Sequence, residues 1–184
     1  MNCMIITVAI ALSGPPDAAD RTRVQGVPAG DVREQVETFL STIDVPVTAQ
    51  QWQALGPEAA PLLMEIASSQ QLSLRRARAV EALGMRKDAA ATDLVGRLAT
   101  GASEPRAVRM AAVRATPKLA PGPAAQATLA PLLQEKDPHL RAAAASALAS
   151  LGANGCKLVS QRLQRETGEE RALMERASTS CHKP

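Results

Sequence analysis

Four arginines recur at nearly constant spacing, Arg76, Arg109, Arg141 and Arg171, with intervals of 33, 32 and 30 residues. If each stands at one fixed place near the start of a helix, they line up as a ladder of cations. Such a ladder has two uses: binding phosphate or acidic partners, or forming local forks with carbonyls and carboxylates, for which a planar guanidinium is well suited. Asp137, close to Arg141, is available for the second use, and the structural use is the one favoured. Arg75, Arg78, Arg86, Lys87, Arg106 and Arg114 are additional. They make a basic surface, or they are solvated with Glu81 and Asp88 as neighbours.

The remaining reactive groups do not assemble into a catalytic set. His139 falls in a turn beside Pro138 and His182 in the C-terminal tail, without the spacing of a metal pair or the company of a nucleophile and acid. Gly152 to Gly155 lacks the Lys-Ser/Thr that a phosphate-binding glycine loop carries. Glu169 and Glu170 read as helix-start charges that complement the dipole. No catalytic, cofactor-binding or metal-ligating residue is expected, and no cofactor is implied.

The elements that position these groups follow from composition and period. Among 184 residues there are 36 alanines, one Trp, one Phe and no Tyr. A core of that kind needs helices approaching closely through small side chains, and it excludes sandwiches and barrels built from aromatic and β-branched strands. Charged residues are 21% of the chain and the net charge is only +3, less basic than a generic nucleic-acid binder.

Cys3 to Leu12 is an apolar run too short to span a membrane, with the length of a signal-peptide core, and Ala11 to Ser13 supplies a small-x-small triplet. Residues 1–13 are therefore read as a signal peptide and the chain as exported or periplasmic, with a cytoplasmic chain as the alternative. Pro and Gly punctuate 14–30 as a flexible linker. Capping helices follow at 31–55. Asp31 with Glu34 starts the first, which places Val32, Val36, Phe39, Leu40 and Ile43 on one face, and Thr48 with Gln51 starts a second that holds Trp52. Trp52 and Phe39 plug the end of the first repeat. Repeats occupy 56–181 and a tail 182–184.

The repeat is explicit. Arg76, Ala79, Val80, Ala82 and Leu83 return as Arg109, Ala112, Val113, Ala115 and Thr116, then as Arg141, Ala144, Ala145, Ala147 and Leu148, and loosely as Arg171, Met174 and Ala177. A second phrase with apolar residues four apart precedes each copy, as in Leu62 and Ile66 or Leu129 and Leu133. Two helices per unit is the reading. Asp137 with Pro138 starts a second helix, Gly84, Pro121 to Pro123 and Gly152 to Gly155 mark turns between units, and Pro61 and Pro131 kink the first helices or mark their starts. Such a unit cannot bury its apolar face alone, so neighbours stack.

Leu132 to Gly152 resembles a HEAT repeat of the bacterial type, and the other units are weaker matches. Tetratricopeptide repeats have a similar period, but Trp52, Leu55 and Gly56 imitate their opening only once. The resemblance implies an all-α solenoid of about four helical hairpins with an N-terminal capping helix, second helices on the concave face, structural repeat arginines, and another protein as partner. Arg75, Arg78, Arg106 and Arg114 are the expected contact residues, as exposed positions on the second helices. Nucleic acid on a basic concave face is the alternative partner, and no membrane span is expected.

The hairpin reading places the last two cysteines. The midpoint of Cys156 and Cys181 falls at Gly168, the expected turn of the final hairpin. The two thiols then meet at its open end, and an exported chain would join them as a disulfide.

Overall fold

The computed structural model describes residues 31–42, 45–120 and 122–182. The expected leader and linker, Ile43, Pro121 and the last two residues lie outside them. The described residues form ten α-helices and no strand.

Helix α1 (Val32–Ser41) starts at Asp31, whose carboxylate accepts the Arg33 N–H at 3.1 Å. Helix α2 (Ala49–Ala54) starts with a reciprocal capping box: the Thr48 hydroxyl accepts from Gln51 N–H at 3.2 Å while the Gln51 side chain accepts from Thr48 N–H at 2.9 Å. Four hairpins follow, α3 (Ala59–Ser68) with α4 (Ser73–Arg86), α5 (Thr92–Thr100) with α6 (Arg106–Leu119), α7 (Pro123–Leu129) with α8 (Pro138–Ala149), and α9 (Ala153–Leu163) with α10 (Gly168–Ala177). A 3-10 turn at Thr179–His182 ends the described chain.

The two prolines of the first-helix phrases act differently. Pro61 is the third residue of α3, where a missing N–H costs nothing, whereas Pro131 lies in a 3-10 segment, Ala130–Gln134, into which α7 converts. At α8, Asp137 caps the His139 N–H at 2.9 Å and Pro138 takes the first helical position.

Each second helix packs on the next, α4 on α6, α6 on α8 and α8 on α10, while α1 lies on α3 and α4, and α2 lies on α4. The repeat residues Ala79, Val80, Ala82, Leu83, Ala112, Val113, Ala115, Ala144, Ala145, Ala147 and Leu148 are all buried in this row. Met174 is buried at the corresponding place of the fourth unit. Trp52 is 4% exposed and meets Phe39 edge to face, with ring centroids 5.1 Å apart, closing the end of the first hairpin.

Gly84 does not form a turn. It sits inside α4, where a Cβ would stand 2.9 Å from Ala115 Cβ and 3.2 Å from Ala115 Cα, so its bare backbone is what lets α4 and α6 approach. The turn comes three residues later, at Lys87 in the left-handed region with φ 61°. Gly155 likewise lies within α9, and a Cβ there would fall 1.9 Å from the Leu148 carbonyl oxygen.

Candidate protein-binding face

The repeat arginines are joints between units. Arg76 Nε donates to Ala67 O at 2.9 Å, at the end of its own first helix, and its Nη2 pairs with Glu104 of the next unit at 2.7 Å. Arg109 repeats this with Ala99 O at 3.2 Å and with Glu135. Arg141 donates through Nη1 to Glu135 O at 2.8 Å and Lys136 O at 3.0 Å, and through Nε to Glu166 Oε1 at 2.8 Å, and it also pairs with Glu170. Arg171 keeps the first half of the pattern, donating to Leu163 O at 3.1 Å. Its acid is Glu175 of its own helix, and it is exposed, because no further unit among the described residues offers a glutamate.

Asp137 is not the partner of Arg141. Its carboxylate is used by the α8 cap and by Arg106, whose Nε lies 2.7 Å away. The acids that matter, Glu104, Glu135 and Glu166, are 31 residues apart. That recurrence was the available signal for them.

Burial alone would push the Arg141 guanidinium down, but hydrogen bonds and charge from Glu166 and Glu170 outweigh it and hold it above its ordinary value. Burial would likewise raise the Glu166 carboxyl, and hydrogen bonds from Arg141 and Arg162 turn the balance to hold it below the usual carboxylate range.

The four expected contact arginines divide into two pairs. Arg75 and Arg78 are half-buried rather than exposed, because α1 lies on α4: Arg75 pairs with Glu37 and Arg78 donates to Leu40 O at 2.8 Å. Arg106 and Arg114 are exposed, paired with Asp137 and Glu81 respectively. Arg86, expected on a basic or solvated surface, is instead nearly buried, holding Leu55 O at 3.0 Å, Gly56 O at 3.3 Å and Asp88 at 2.7 Å. It ties the end of α2 to α4.

A groove of about 680 Å³ runs along the row of second helices, over α8 and between α6 and α10. Its floor is Ala142, Ala143, Ser146, Ala147 and Ser150, small because α8 is almost all alanine and serine on that side. Met110 and Pro117 of α6 form one wall and Leu173 of α10 the other, with Arg114, Lys118 and His139 among the remaining lining residues. Among the described residues no cluster of three His, Cys, Asp or Glu could hold a metal, and no helix is long and apolar enough to cross a membrane.

Residues 60–148, from α3 to the end of α8, match the family model of HEAT repeats. This chain carries HEAT repeats. The search of curated proteins gives no match. The HEAT match takes in the first three hairpins, and the α9–α10 hairpin beyond it continues the same row of second helices and the looser fourth copy of the arginine pattern. HEAT repeats in general mediate contacts between proteins.

At the far end of the array, Cys156 and Cys181 are joined as a disulfide with Cα atoms 5.4 Å apart. The bond links the first turn of α9 to the 3-10 turn after α10.

Proposed function

We propose that this HEAT-repeat protein is a non-catalytic scaffold that holds another protein along its row of second helices. The observation that carries the reading is the open, largely apolar groove over α8, walled by larger side chains on α6 and α10. Concave apolar surface with a few polar groups at the edge is the usual form of a recognition site. Arg114 lines it, with Arg106 about two turns earlier on the same helix, and the mostly apolar lining supports a protein partner over nucleic acid, whose affinity comes largely from phosphate contacts. An exported, oxidising setting is part of the proposal. It is supported by the Cys156–Cys181 bond, a kind of link that persists where thiols are not kept reduced.

A photo-crosslinking residue placed at Ser146, in the groove, and in a second variant at Thr128, beside a groove between first helices, tests the reading. Protein adducts should form from position 146 in native extract and not from position 128. Equal yields from both, or none from 146, would overturn the assignment of the face.

A further inference from the structure

We infer that the groove over α8 receives an acidic, apolar-faced helix of the partner; this rests on the protein-binding reading above. The shape argument comes first. Met110 and Leu173 stand on either side of a floor made by Ala143, Ser146 and Ala147. Small floor residues let a helix axis approach to the near end of the usual 8 to 10 Å packing range, with its own apolar side chains filling the space between the walls.

Charge selects among helices. None of the twelve lining residues is a carboxylate, whereas Arg114 and Lys118 stand one helical turn apart on the α6 side. Three other grooves among the described residues each set an acid beside the base: Arg78 with Glu81 between the N-terminal helices and α4, Asp93 with Arg97 between α5 and α7, and Glu65 with Arg97 between α3 and α5. Arg114 already pairs with Glu81 across to α4, but that pair is exposed and readily shared with an incoming carboxylate. Lys118 is exposed and forms no ion pair among the described residues. A row of acids one turn apart, flanking an apolar stripe, complements this edge. A phosphate backbone would gain from the two cations and nothing from the alanine floor.

The test is selection from a phage-displayed library of helical peptides of about 15 residues, roughly four turns, against the full chain, with the Ser146→Trp variant as counter-screen. Both Ser146 and Lys118 are exposed on helices, so the fold should survive either change. Peptides lost on Ser146→Trp are expected to carry apolar residues three and four apart flanked by Asp or Glu, and Lys118→Glu should weaken them about fivefold. Groove-dependent peptides with neutral or basic flanks, or indifference to Lys118→Glu, would overturn the acidic specificity while leaving the protein-binding reading intact. Absence of any peptide sensitive to Ser146→Trp would overturn both. Tighter groove-dependent binding of a random-sequence DNA duplex would overturn both in favour of nucleic acid.

Discussion

Arg141 Nε lies 2.8 Å from Glu166 Oε1, with the two side chains 5% and 3% exposed, so the joint between the third and fourth hairpins is a buried ion pair. Arg162 approaches the same oxygen at 2.8 Å, and the two arginines together keep Glu166 ionised. Replacing Arg141 by Met should lower the denaturant-unfolding free energy by about 3 kcal/mol, because it leaves the buried Glu166 with Arg162 alone and frees the Glu135 and Lys136 carbonyls.

The same pair sets a pH dependence. The folded Glu166 carboxyl takes its proton at a lower pH than the unfolded one, so its contribution is complete above about pH 4.3, the ordinary glutamate value. That contribution falls away as the pH drops through this value towards the folded one. Denaturant titrations of the parent and Glu166→Gln should therefore differ at pH 7, with the difference shrinking progressively as the pH falls below the ordinary glutamate value. A difference that stays constant through acid pH until the parent unfolds would refute the linkage.

Leu133 and Leu148 are both buried, one in the 3-10 continuation of α7 and the other in α8. Either Leu→Ala change should cost about 2 to 4 kcal/mol through lost burial and a residual cavity. Urea midpoints matching the parent would show that neither side chain faces the core between units.

Gly84→Ala should destabilise, against the usual gain of about 0.5 to 1 kcal/mol when alanine replaces glycine inside a helix. The new methyl meets Ala115 in the facing helix, and overpacking of that kind costs about 1 to 3 kcal/mol. The double variant Gly84→Ala with Ala115→Gly should recover most of the loss. Recovery failing to appear would locate the strain elsewhere.

Cys156→Ser opens the link between α9 and the turn after α10. A closed loop with a sequence separation of 25 is worth about 3 kcal/mol in the chain-entropy account. Amide exchange in α10 should rise far more than in α4 or α6, since only the terminal hairpin loses its fastening. Intact mass after alkylation without reductant reports the bond itself, and alkylation of both Cys156 and Cys181 in the purified parent would show that it does not form.

Much of this molecule is legible in one dimension because it is local. The Thr48 and Gln51 capping box, the Asp137 and Pro138 helix start and each copy of the arginine pattern, such as Arg76 to Leu83, lie within about two helical turns, where side-chain spacing dictates the backbone directly. Stacking then follows from the need of each hairpin to bury its apolar face. The last hairpin brings its two cysteines together for the same reason: an antiparallel turn puts the start of one helix beside the end of the other.

What tertiary structure decided is every contact whose partner lies a whole unit away. Arg76 takes Glu104 and Arg109 takes Glu135 because the following hairpin lays its turn over the arginine, while Asp137, close in sequence to Arg141, is drawn off by its own helix cap and by Arg106. Arg75 and Arg78 lost their expected exposure when α1 settled on α4. Gly84 has the composition of a turn residue, and only the approach of Ala115 makes it a packing residue. The groove is the clearest case, since the alanines of α8 look like core from their pattern alone. They become the floor of a groove only because α6 and α10 stand on either side with larger side chains, and relative height between helices is a property that no single helix encodes.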